Sequence, residues 1–200
     1  MTDYDLPPGE KWRRFELYAL GFRDFADVRP EVPLDPFRLA KFANLLVVNF
    51  EQIQGLNPDV REHLLGEASE KWSGGACSLP LPDGRRIVIL NPNHGRVRTN
   101  ATLMEEVSHV FLGHQPSRLK VVAETSSGRT ISREYRKTDE EAAYATGAAT
   151  LVPFSALRRF LLEGRSSQQI AKHFHVSREL VEYRLKVTRL WKIYREAHTG

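Results

Sequence analysis

The chain has one cysteine, Cys77, in 200 residues. Intramolecular disulfides are therefore excluded, and so is any zinc site built on two or more thiolates. A lone thiol in such a chain is more often a small buried residue than a nucleophile. There is no long apolar run either: no stretch approaches the ~20 residues that span a bilayer. The first residues, Met1 to Pro8, lack a basic segment followed by an apolar one, so no secretory signal is visible. These absences lead us to expect a cytoplasmic protein with no membrane partner. With 41% hydrophobic and 27% charged residues the composition is that of an ordinary globular chain, able to build one core with at most a small appendage.

A large excess of one sign of charge occurs only in the last quarter. From Pro153 onward there are ten Lys/Arg against four Glu, so residues 153–200 carry +6 and the remainder −2 of the net +4. That segment also has helix-turn-helix form: Ser167 to Phe174, a break at His175 to Ser177, then Arg178 to Leu185. Arg178, Arg184 and Lys186 are its candidate nucleic-acid contacts. Glu179 and Glu182 stand near the start of the would-be recognition helix, where they oppose phosphates. We therefore expect residues 167–190 to pack against the body rather than read DNA.

The stretch that carries chemistry is Asn100 to His114, N-A-T-L-M-E-E-V-S-H-V-F-L-G-H. At 100° per residue, Leu103, Val107, Val110, Phe111 and His114 share one stripe, while Glu105 and His109 lie one turn apart on the opposite side with Glu106 beside them. Side chains at i and i+4 can share a metal ion, and a neighbouring Glu can act as general base on a water. Glu105-Glu106-Val107-Ser108-His109 approximates the metallopeptidase pattern H-E-x-x-H, with Glu in place of the first His. The plainer reading is a capping box, Thr102 to Glu105, at the start of a helix.

Helical spacing also predicts elements over Glu10–Phe25, from Pro36 behind the cap Asp35, after Asn57 to Leu65, over Asp139–Val152, and through most of 155–194. Leu45–Phe50 reads as a strand. Residues 76–81 and 85–90 read as a hairpin about Pro82-Asp83-Gly84, with its second arm bordering the cleft and offering an edge to a peptide. Leu119–Ala123 and Arg133–Tyr135 read as short strands. The helix after Asp139 is rich in small residues, and Gly147 at its middle implies close packing of another helix. Glu140 and Glu141 open it, either as partners of the helix dipole or as a further metal ligand.

In order along the chain, several segments resemble the ImmA/IrrE family of zinc metallopeptidase-like regulators. They are Pro33-Leu-Asp-Pro-Phe, Trp72-Ser73, Leu79-Pro-Leu-Pro-Asp-Gly-Arg-Arg, Ile89-Leu-Asn-Pro-Asn-His-Gly, Leu103 to His114, Gly147-Ala-Ala-Thr-Leu-Val-Pro and Phe174-His-Val-Ser. The resemblance implies an α+β fold: a zincin-like domain over 1–153 with a small β-sheet beside the motif helix, then a helix-turn-helix-like segment over 154–200 packed on it. It implies zinc as cofactor and cleavage of a protein partner, typically a helix-turn-helix transcriptional repressor. His109 matches a zinc-binding His, Glu106 the catalytic Glu, and Glu105 stands where the family has its first His. Anchoring on Ala143 and Pro153 puts Glu140 at the place of the third ligand. Glu141, His94 and His114 are secondary candidates. With two carboxylates and one imidazole, zinc binding is expected to be weaker than in a two-His site, down to none. Two alternatives stand beside this reading: a catalytically silent relative that binds a protein partner, and a DNA-binding regulator acting through residues 167–195.

Overall fold

The structure is a computed structural model that describes residues 5–77, 79–114, 119–125, 128–133 and 137–198. It is mostly helical with a small mixed sheet, an α+β arrangement. The first helix, α1 (Glu10–Phe25), and α2 (Pro36–Phe42) follow the predicted spans. Asp35 caps α2 by accepting from the Phe37 amide, and Pro36 sits where its missing N–H has no partner to lose. Strand β1 (Leu45–Val48) stops short of Phe50, because Asn49 caps a single turn of 3-10 helix over Phe50–Gln52. Helix α3 (Pro58–Leu65) begins behind the cap Asn57.

The predicted hairpin is displaced. Its first arm is β2 (Gly74–Ala76), pairing antiparallel with β3 (Arg86–Leu90) from Gly74↔Leu90 to Ala76↔Val88. Pro80 lacks an N–H for a ladder, so residues 79–81 remain outside the strand. Strand β1 pairs with β3 on the other side, in parallel, giving the order β1-β3-β2. The expectation that the Arg85–Leu90 strand offers an edge to a peptide is thereby overturned: both its edges are taken, and β2 is the edge strand that packs against the motif helix.

That helix, α4, spans Arg96–Phe111 and begins well before Asn100. Its N-cap is Gly95, so Thr102 and Glu105 lie inside the helix and the capping-box reading fails. Its C-terminus is set by Gly113 at φ +70°, with Gly113 N–H bonded to the Val110 carbonyl and His114 N–H to the His109 carbonyl. This is a Schellman closure, for which glycine supplies the left-handed residue. Strands β4 (Leu119–Thr125) and β5 (Gly128–Arg133) form a separate two-stranded hairpin. The second strand thus starts inside the predicted turn, and most of the Arg133–Tyr135 segment falls outside the described residues.

Helix α5 (Lys137–Leu151) lies between α4 and α1. A Cβ placed on Gly147 would meet the Met104 carbonyl and the Ser108 hydroxyl, each at 3.3 Å. The small residue is what lets the two helices approach so closely. The packed face of α4 is accordingly Asn100, Leu103, Met104, Val107 and Ser108, rotated from the predicted stripe, with Val110, Phe111 and His114 only partly buried.

The chain ends in α6 (Phe154–Leu162), α7 (Ser167–Phe174), α8 (Arg178–Val187) and α9 (Trp191–His198). Ile170, Phe174, Val176, Leu180, Val181 and Leu185 belong to the same buried cluster as Leu39, Val88, Leu103 and Val107. A buried ion pair ties this segment to α1: Arg184 donates to Glu16, each 1% exposed, and also to the Val152 carbonyl at 3.0 Å. Glu16 in turn accepts from the Phe154 amide at 2.6 Å. Among the described residues, no helix is long and apolar enough to cross a membrane.

Candidate metal centre

Since Met104 and Ser108 face α5, the residues one position on, Glu105 and His109, fall about 100° around the helix, at the rim of the α4–α5 seam. The first turn of α5 brings Glu140 to the same rim. His109 Nε2 is 3.6 Å from Glu140 Oε2. One ligand atom from each of Glu105, His109 and Glu140 lies within 4.8 Å of the other two, and all three side chains are partly buried. Imidazole nitrogen and carboxylate oxygen are both donors that zinc accepts. The donor set therefore fits a divalent metal, with more oxygen and less nitrogen than the usual catalytic zinc sites.

The electrostatics agree. Burial, then the charges of Glu106 and Glu140, push the Glu105 carboxyl up to about 7. The like charges act in the same direction, but loss of solvent is the larger cause. Burial likewise holds His109 below the usual imidazole range, against the opposing pull of Glu140. That lowering favours the neutral imidazole, the form with a lone pair to offer, beside Glu140. Glu106 is partly buried next to Glu105 in the chain, and its charge reaches that carboxyl.

The other candidates are placed elsewhere. Glu141 is exposed and pairs with Lys11 of α1 at 2.5 Å, because one residue turns it a quarter of the way around α5. His94 lies in the loop before α4, with Nε2 3.5 Å from the Asn91 amide, and is not in the cluster. His114 is folded back by the Gly113 turn, its Nδ1 3.0 Å from His109 Nδ1, rather than lying on a helical stripe. A cavity of about 280 Å³ opens beside it, lined in part by Asn44, Arg86 and Val110. A second cavity, about 370 Å³, sits at the opposite end of α4 between Arg96, Val97 and Lys172, remote from the carboxylates in the chain's layout.

Tyr144 was not singled out in the sequence. It follows Glu140 by one turn of α5 and lies close enough to Glu105 for that carboxylate, after burial, to raise its pKa. Its ring packs edge-on against Tyr183 with centroids 5.0 Å apart. The i+4 spacing from Glu140 was the available signal.

Of the candidate nucleic-acid contacts, Arg184 is removed by its burial against Glu16, since a buried guanidinium cannot reach a phosphate. Arg178 is exposed but paired with Glu182 at 2.6 Å. Lys186 is exposed, with its ammonium over the Trp191 ring at 5.4 Å.

Residues 56–186 match the IrrE N-terminal-like domain, peptidase family M78, and the chain belongs to that family of zinc metallopeptidases. The matched span includes Glu105, His109, Glu140 and the α7–α8 pair. No curated protein and no solved structure matches the chain.

Proposed function

We propose that the protein is a metal-dependent endopeptidase acting on a protein partner, with Glu105, His109 and Glu140 as metal ligands and Glu106 as general base. The observation that carries this reading is the convergence of ligand atoms from α4 and α5, within the span that matches the family. Bound zinc would supply Lewis acidity toward a peptide carbonyl and lower the pKa of water at the site. The protein's own residues do the remaining work. Glu106 takes a proton from water and returns one to the leaving amine. Glu105 and Glu140 bring negative charge that stabilises the cation. The outer edge of β2, the sheet edge nearest α4, suits an extended peptide held by main-chain hydrogen bonds. A helix-turn-helix transcriptional repressor is the partner class that the family reading supplies, and zinc is the metal.

The test is metal content of the purified, untagged protein and of His109→Ala, alongside proteolysis by wild type and Glu106→Gln. One zinc per chain, lost with His109, and cleavage lost with Glu106, are the expected results. Partner binding that persists under chelator, with no cleavage, would replace this reading by that of a silent partner-binding relative. Salt-dependent binding to a duplex would point instead to the C-terminal helices.

A further inference from the structure

The one imidazole in the cluster is not held by α4 alone. Gly113 turns the chain at φ +70°, and the His114 amide bonds back to the His109 carbonyl at 2.9 Å. The two imidazoles consequently meet edge to face, 5.1 Å between centroids at 70°, with Nδ1 facing Nδ1 at 3.0 Å. At that separation one nitrogen must carry the hydrogen and the other the lone pair.

The two assignments differ in consequence. If His114 donates, His109 carries its own hydrogen on Nε2, the atom that faces Glu140 at 3.6 Å, and is closed to an ion. If His109 donates, its Nε2 presents a lone pair to the Glu105–Glu140 rim. We propose that His114 is a positioning residue for the metal site: its Nδ1 accepts the Nδ1 hydrogen of His109 and so fixes the ring and tautomer in which Nε2 can ligate. This rests on the metal-binding reading above. His114 itself is outside the group of converging ligand atoms, so it acts through His109. Its other nitrogen then carries the hydrogen, and the residue lines a cavity together with Asn44 and Arg86. Partners of this kind raise the basicity of a ligating imidazole, and their loss weakens metal binding by about 10–100-fold. The effect is concentrated here because Glu105 leaves the site a single imidazole.

The experiment compares zinc affinity, by competition with a chelating dye, in the full-length wild type, His114→Phe and His114→Asn. Phenylalanine keeps a ring but accepts nothing, whereas the asparagine carbonyl oxygen replaces the accepting nitrogen. The expected result is a dissociation constant raised about 10–100-fold in the Phe variant and largely restored in the Asn variant. Imidazole nitrogen shifts of His109 in the metal-free protein should report hydrogen on Nδ1 in wild type and His114→Asn. In His114→Phe they should report a mixture. Thermal melts of the metal-free proteins identify any variant that fails to fold, and His114→Leu, which also accepts nothing, replaces His114→Phe if that variant does. Equal affinity and an unchanged tautomer in His114→Phe would overturn the proposal. So would X-ray absorption showing two imidazoles on zinc in wild type and one in His114→Phe, which would make His114 a ligand. A wild type that takes up no zinc overturns the functional reading and this proposal together. The first two outcomes leave the functional reading standing.

Discussion

Gly147 lies against the backbone of Met104: a Cβ at Gly147 would sit 3.3 Å from the Met104 carbonyl oxygen. Two turns earlier on the same helix stands Glu140, whose carboxylate is 3.6 Å from His109. The separation of α4 from α5 at the glycine therefore governs whether Glu140 and His109 can share an ion.

Replacing Gly147 by Val should push the helices apart at a backbone atom that cannot yield. We expect destabilisation of about 1–3 kcal/mol, the usual range for overpacking. Zinc affinity should fall together with stability, since Glu140 moves with α5. Urea denaturation and a metal titration check the two effects. An unchanged titration would mean that α5 can shift without carrying Glu140 away.

Glu105→His restores the two-imidazole ligand set. Zinc affinity should rise by at least about tenfold over wild type, because imidazole suits zinc and three acidic groups no longer crowd one site. Wild-type zinc binding should be the weaker of the two. Competition titrations at one pH decide the order.

In the metal-free protein, the contribution of Glu105 to stability should fall as pH rises. Glu105 has a folded pKa raised from 4.5 to about 7, so the folded state favours its protonated form. That contribution is fully present below about pH 4.5 and is lost as pH rises through about 7. The loss between pH 5 and 8 should be of the order of 2 kcal/mol, allowing for the group's residual contact with solvent. Glu105→Gln should flatten this dependence, and saturating zinc should oppose it by binding the ionised form. Chemical denaturation across the pH range is the measurement.

Arg184→Ala should destabilise the protein by about 3–5 kcal/mol, because it strands Glu16 as an unpaired buried charge. Removing both charges, Glu16→Gln with Arg184→Met, should recover much of the loss. The same variant bears on nucleic acid. If duplex binding is found, Lys186→Ala should weaken it more than any folded Arg184 variant does, since Lys186 is exposed and Arg184 is buried.

Much of the local structure was legible residue by residue. Asp35-Pro36 and Asn57-Pro58 announce helix starts because a capping oxygen followed by proline satisfies the first turn and little else. The spacing of Trp12, Phe15, Ala19 and Phe22 marks α1 for the same local reason. Gly147 announced a close helix contact, and α4 is that contact. Less legible was the start of α4, where Gly95 offers no capping side chain and Thr102 offers a false one. The strand edge was also misjudged. Whether β3 keeps a free side depends on β1, almost forty residues away in the chain, and no local pattern encodes a partner.

For the site, helical periodicity alone puts Glu105 and His109 on one side of α4, and the backbone geometry of an α-helix makes that independent of the rest of the fold. Family membership, too, follows from the sequence over residues 56–186. The tertiary structure decided the rest. Only packing across Gly147 chose Glu140 over Glu141, one facing His109 and the other Lys11. Burial, joined by the charges of Glu106 and Glu140, turned Glu105 into a carboxyl that holds its proton near neutrality. Only the turn at Gly113 set His114 against His109. And the fate of Arg184, basic in composition yet sealed against Glu16, was decided by a contact spanning most of the chain. Periodicity acts within one element, whereas desolvation and pairing act between elements, and these reach their values only when the chain has closed on itself.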